Sequence, residues 1–228
     1  MRMPRQAARS SGFVTSTGTG EGKTFVTRGL ARHARRLGVD VAALKPLETG
    51  VDPEPLDAIA IAHAAGRPEL HDVPGLYRVA PPVAPFTATL RGHPPVPSTS
   101  YLRVVISSVT ADLLLVEGAG GVLVPLDERR CVADLITALG MPALLVARNG
   151  LGVISHTRAA YEALAQRGIT VTAIVLTEHG PSDESQRDNL LVLGKLLPVP
   201  VVRFPSTADD DDALADAATA LWSAITPL

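Results

Sequence analysis

Phe13-Val-Thr-Ser-Thr-Gly-Thr-Gly-Glu-Gly-Lys-Thr24 decides the fold. A short apolar run enters a glycine-rich loop, the loop ends in Gly22-Lys23-Thr24, and a helical pattern follows at once. That is the layout of a phosphate-binding loop between a strand and a helix. Glycines let backbone N–H groups close around phosphate oxygens, and the start of a helix adds free amides and a positive dipole end. Lys23 is placed to reach the β- and γ-phosphates, and the Thr24 hydroxyl to meet Mg²⁺. The spacing is not the strict one: the pattern G-x-x-x-x-G-K-[ST] asks for glycine at 17, where Thr17 stands, and the upstream glycines are Gly18 and Gly20.

Outward from this loop the chain alternates. The strand covers 12–16, and a helix over 23–37 places Val26, Leu30, Ala34 and Leu37 on one face and Arg28, Arg32 and Arg35 on the other, read as a solvated face. Gly38 ends it. Val39–Leu44 is a second strand, and Lys45-Pro-Leu-Glu-Thr-Gly50 leaves its C-terminal end, where ligands of open α/β sheets bind. A helix begins near Leu56. Asp57 in its first turn fits two roles, a helix-dipole acid or a metal-directed carboxylate, and the local sequence supports both. Residues 67–98 hold eight prolines and little periodicity, and read as a long ordered loop or lid. A helix over Tyr101–Thr110 precedes the strand Asp112–Val116, which is aliphatic after its first residue and therefore central. It runs into Glu117-Gly-Ala-Gly-Gly121, an acid at a strand end beside small residues, as a Mg²⁺-nucleotide site requires. The glycines allow a ligand to approach the backbone. Further on come a helix at Val132–Leu139, a strand at Pro142–Ala147, a helix entered through Asn149 and ending about Arg167, a strand at Val171–Leu176, a helix at Asp183–Leu196, a strand at Val199–Phe204 and a last helix at Asp209–Ile225, capped by the solvent-facing Asp209–Asp212. This order predicts an α/β fold, a single doubly wound, mostly parallel sheet with helices on both faces, over 12–228. Residues 1–11 read as a basic tail.

Composition narrows the functions. In 228 residues, 46% hydrophobic and 19% charged describe a globular domain. A formal charge of −2 and 4% aromatics argue against a nucleic-acid partner. One cysteine, Cys131, excludes an internal disulfide and fits a reducing compartment. No apolar run approaches the ~18–20 residues of a membrane span, so the cytoplasm is expected. Of 21 basic side chains only Lys23, Lys45 and Lys195 are lysines. A lysine kept among so many arginines suits a compact point charge, and two of the three fall at the site. Ser155 and His156 are adjacent at a helix start and form no hydrolytic triad.

Taken together, STGTGEGKT, KPLETG, the acid-led LDAIAIA, LLLVEGAGG with Pro125 after it, and LGVISHT resemble the dethiobiotin synthetase family over nearly the whole chain. The resemblance implies an ATP- and Mg²⁺-dependent ligase that closes a ureido ring on 7,8-diaminononanoate with CO₂, through a carbamate and its mixed anhydride with phosphate. It implies that Thr19, Lys23 and Lys45 act around the phosphates and the carbamate, and that Thr49 binds substrate. Thr24, Asp57 and Glu117 are implied as Mg²⁺ ligands, and Gly20, Glu21, Gly22, Lys23, Thr24, Glu117, Gly118, Ala119, Gly120 and Thr177 as nucleotide contacts. It further implies a homodimer in which Gly152 and Ser155 reach the substrate of the neighbouring subunit. Three positions depart from the pattern. Ser16 replaces a glycine, at a cost of roughly 1 kcal/mol if φ there is positive. Gly20-Glu21 displaces the loop's acid by one. Thr177-Glu178 replaces the asparagine that reads adenine, so other nucleoside triphosphates are expected to be accepted. The rival classes are related amide-forming or partitioning ATPases and a non-catalytic nucleotide-binding module. Partitioning ATPases carry an extra lysine early in the loop, and none occurs between 1 and 22.

Overall fold

The computed structural model describes residues 10–178 and 183–225. The first nine residues of the expected basic tail lie outside them, and Ser10 and Ser11 open the first strand. In chain order the elements are β1 (Ser10–Ser16), α1 (Lys23–Arg36), β2 (Val41–Leu44), β3 (Leu47–Thr49), α2 (Leu56–Ala64), β4 (Tyr77–Val79), α3 (Pro85–Leu90), α4 (Thr99–Ser107) and β5 (Leu113–Glu117). Then follow α5 (Val132–Leu139), β6 (Ala143–Arg148), α6 (Val153–Ala165), β7 (Val171–Thr177), α7 (Gln186–Leu196), β8 (Val201–Phe204), α8 (Asp211–Ala217) and α9 (Thr219–Ile225).

Six strands form one sheet in the order β2-β5-β1-β6-β7-β8, with every pairing parallel. Its central strands are buried on both faces, which is why they read as unbroken aliphatic runs. Successive residues serve opposite cores: Phe13, Leu114 and Val116 join Leu102, Ile136 and Leu164 on one side, while Val14, Leu113 and Leu115 join Val26, Leu30, Leu214 and Leu221 on the other. Helices α4, α5 and α6 thus cover one face and α1, α8 and α9 the other. From β1 the chain crosses toward β2, and from β5 it crosses back over β1 to β6. This reversal opens a crevice beyond the C-terminal ends of β1, β5 and β2.

Three expectations are corrected. The proline-rich stretch is not a plain loop: it holds a 3₁₀ turn at Pro68–Asp72, the strand β4 and the helix α3. β4 pairs in parallel with β3, giving a second, two-stranded sheet in register Leu47↔Tyr77, Glu48↔Arg78 and Thr49↔Val79. Three-residue strands are too short to show alternation, and their pairing partner is remote in sequence. The last helix is two, divided at Ala218. And the arginine face of α1 is not merely solvated: Arg28 and Arg32, joined by Arg36, pair with Asp209, Asp211, Asp212 and Asp216 around α8, while Arg35 donates to the Ala64 carbonyl at the end of α2. Among the described residues no helix is long and apolar enough to cross a membrane.

Candidate active site

The loop after β1 turns through Gly20 (φ 77°) and Gly22 (φ 90°), backbone positions that side chains disfavour. Gly22 opens α1, and no N-cap side chain bonds that helix. Uncapped first-turn amides at the end of a 14-residue helix form an anion site. By contrast α4 is capped by Ser98 and α8 by Asp210. Gly118–Gly121 packs directly on this loop. Val122 donates its N–H to the Ser16 carbonyl at 3.0 Å, and a Cβ on Gly121 would lie 2.8 Å from the Thr17 carbonyl oxygen. Here a glycine lets two backbones approach closely. Gly118 is likewise spent on packing, against the Phe13 ring. Ala119 and Gly120 do face the crevice.

The crevice is a cavity of about 560 Å³ lined by Thr19, Gly20, Glu21, Gly22, Lys23, Thr24, Lys45, Thr49 and Asp57, among others. Residues 82–85 of the proline-rich stretch form part of its wall. Two buried ammonium groups sit here. Lys23 donates to the Ser16 hydroxyl at 2.9 Å, and burial pulls its pKa down to about 8 although Glu117 opposes this. A partly destabilised cation with no carboxylate partner among the described residues is a ready acceptor for an anion. Lys45 is the opposite case. Its ammonium bridges Asp57 Oδ2 at 2.7 Å and Glu117 Oε1 at 2.6 Å. Burial works against its charge, but these two carboxylates outweigh burial and raise its pKa. Burial also works against the Asp57 charge, and Lys45, with help from Thr24, outweighs it and lowers the Asp57 pKa.

Glu117, at the end of β5, is fully buried. Its Oε1 accepts from Lys45 and from the Thr24 hydroxyl, at 2.9 Å, while Oε2 has no hydrogen-bond partner among the described residues. A buried carboxylate oxygen left unsatisfied is costly. The donor set around it, a hydroxyl and two carboxylates, is all hard oxygen, as Mg²⁺ prefers. These residues therefore fit that ion.

Other expected residues fall elsewhere. Thr177 is buried and donates its hydroxyl to the Glu21 carbonyl at 2.8 Å, beside a smaller pocket walled by Phe25, Phe204 and Pro205. Glu21 accepts the Arg148 N–H on its carboxylate at 2.5 Å, so the displaced loop acid ties the loop to the end of β6. Gly152 (φ 90°) and Ser155 open α6 in exposed positions and do not line the main cavity. At Ser16 the conditional strain does not arise, because no non-glycine residue among those described has positive φ. Its hydroxyl instead serves the Gly18 and Gly120 carbonyls, at 2.6 and 3.0 Å. Sequence reasoning missed Glu48, a buried carboxylate on the cavity wall. The one signal was an acid between Lys45 and Thr49.

Fold and site together define a P-loop nucleotide-binding α/β protein. The family described as an AAA domain matches residues 11–205. Two solved Pyrococcus chains share the architecture. The septum site-determining protein MinD complexed with Mg-ADP from Pyrococcus horikoshii aligns at TM-score 0.57 and 18% identity, covering 92% of this chain and 86% of that one. The cell division ATPase MinD of Pyrococcus furiosus aligns at 0.55 and 19%, covering 94% and 98%. At such identities they show the fold alone. Closer in sequence are proteins named ATP-dependent dethiobiotin synthetase BioD. That of Anaeromyxobacter dehalogenans is 43% identical over 75% of this chain and 78% of its own length. Those of Mycobacterium avium and Haloferax mediterranei are 42% and 36% identical, covering 79% and 89% of this chain and 81% and 87% of their own lengths. The chain belongs to the ATP-dependent dethiobiotin synthetase family.

Proposed function

We propose that this chain joins CO₂ to 7,8-diaminononanoate at the expense of ATP and closes the ureido ring of dethiobiotin. One amine adds to CO₂ and loses a proton, giving a carbamate. A carbamate oxygen attacks the γ-phosphorus and ADP leaves. The second amine then attacks the carbamoyl carbon, expelling phosphate and a proton. A carbamate and a triphosphate are both anions, so the first task of the site is to hold them together against repulsion. What supports this reading is the convergence of Lys23, Lys45, Thr24 and Asp57 on one cavity, with Glu117 directly behind Thr24 and Lys45. In it Lys23 and the uncapped amides of α1 hold the phosphates. Lys45 and Thr19 act on the γ-phosphate and the carbamate, and Thr49 on the diamine. Thr24, Asp57 and Glu117 would hold Mg²⁺, which when bound neutralises β- and γ-phosphate charge.

Thr177 spends its hydroxyl on Glu21 and offers no amide to a base, which favours loose base selection. Titrations with ATP, CTP and GTP whose affinities agree within about threefold would bear this out, and a strong preference for ATP would reject it. Exposed Leu151 and Leu123, at 88% and 56%, lie in the segments that hold Gly152 and line the loop's outer side. They support a homodimer in which Gly152 and Ser155 complete the partner's site. Sedimentation as a monomer at working concentration would reject it. The reading takes 12–228 as one cytoplasmic domain. The decisive assay is phosphate release that needs both the diamine and bicarbonate. Turnover without the diamine would favour another P-loop ATPase, and nucleotide binding without turnover a non-catalytic module.

A further inference from the structure

Glu48 lies on β3 between Lys45 and Thr49, and only 6% of it is exposed. A buried carboxylate persists only where its oxygens are satisfied. Both are. Oε1 accepts the N–H of Asp57 at 3.0 Å, and Oε2 accepts the N–H of Ala58 at 3.1 Å. These amides belong to the first turn of α2, where no carbonyl four residues back is available. The residue at the N-cap is Pro55, and no N-cap side chain bonds the helix. Glu48 therefore supplies the cap from another strand, with a negative charge at the positive end of the helix. Lys45 and Arg78, its register partner on β4, supply opposing charge around it.

The first amide so held is that of Asp57 itself, whose carboxylate meets Lys45 at 2.7 Å. A helix turn pinned at two consecutive amides fixes the backbone from which the Asp57 side chain projects. We propose that Glu48 is a positioning residue for the metal-directed carboxylate: its two oxygens lock the first turn of α2, so that Asp57 is held aimed at the cation site next to Glu117. With both oxygens engaged by backbone, Glu48 acts through Asp57 and touches no reacting atom. β3 thereby has two functions, since Thr49 faces the cavity while Glu48 sets the neighbouring helix. The inference rests on the reading of Asp57 as a Mg²⁺ ligand.

The test is the gain in ATP affinity conferred by Mg²⁺, from calorimetric titrations with excess Mg²⁺ and with EDTA, without diamine. Glu48→Gln turns one of the two accepting oxygens into an NH₂ group, which faces an amide N–H it cannot accept. Glu48→Gln is expected to shrink the gain about 10-fold, the size of effect seen when a group supporting a metal ligand is lost, and Asp57→Asn at least as much. A gain lost in Asp57→Asn but intact in Glu48→Gln overturns the positioning role alone. A gain intact in both removes Asp57 as a ligand, and the inference falls with that reading. Raising Mg²⁺ is expected to recover the turnover of Glu48→Gln, and a deficit that no Mg²⁺ concentration recovers also overturns it. In the unaltered protein the amides of Asp57 and Ala58 are expected to exchange slowly with solvent. Exchange at the rate of free helix-end amides overturns the proposal whatever the variants do.

Discussion

Two sets of ion pairs hold elements of this molecule together, and they do opposite things. In the cavity one lysine, 6% exposed, is shared by Asp57 and by Glu117, which is wholly buried. On the surface Arg28, Arg32 and Arg36 of α1 meet four aspartates, three of them more than 60% exposed. The contacts are equally short. What separates them is water. Around Lys45 and Glu117 nothing solvates a charge whose partner is removed, so each depends on the other, while Asp57, about half exposed, meets the same lysine from the cavity side. Along the ladder water replaces a lost partner, and such pairs contribute little. The candidate site thus lies where lost charge is hardest to replace, and the arginine ladder where it is easiest.

The sharpest way to break this contrast is Lys45→Ala. Turnover is expected to fall about 100- to 1000-fold, the scale for losing one group that stabilises developing charge. Without metal the folded state is expected to lose about 3–5 kcal/mol, because Glu117 is left buried and unpaired. Added Mg²⁺ should recover part of the melting temperature. Phosphate release and thermal melts with and without Mg²⁺ check both parts, and an unchanged melt would show that Glu117 is not strained by the loss. Next in size is Gly29→Ala. A Cβ there would lie 2.6 Å from the Leu214 carbonyl oxygen and 3.0 Å from the Phe204 ring. An overpacking cost of about 1–3 kcal/mol is expected from chemical denaturation. It should exceed that of any single ladder arginine, since close approach rather than charge seats α1 on α8. Ser16→Gly is expected to cost about 1 kcal/mol, because the hydroxyl that receives Lys23 is lost and no backbone strain is relieved. The smallest effect is expected from Arg32→Ala, about 0.2–1 kcal/mol and fading further in high salt, measured by melts across ionic strength.

Much of this was legible in the residue order. The loop from Ser16 to Thr24, the aliphatic strand ending in Glu117 and the lysine after β2 carry chemistry that follows from residue type and local pattern. The arginine stripe was visible too, but its meaning was not, because its aspartates lie about 180 residues downstream. Strand β4 and its pairing with β3 escaped for the same reason, and so did Glu48, an acid whose partners are backbone amides of another element. A positive φ at Ser16 would have cost stability, but Ser16 ends β1 without one, and a backbone angle is not legible in residue type.

By itself the sequence determined the alternation of strands and helices, the phosphate loop and the acids and lysines placed at strand ends, because these follow from periodicity and side-chain chemistry over a few residues. Only the tertiary structure decided which charges share a counter-ion, which glycine serves packing rather than a ligand, and which acid steadies another. Such pairings depend on distances between segments far apart in the chain and on the exclusion of water between them, and neither quantity is written in any local stretch.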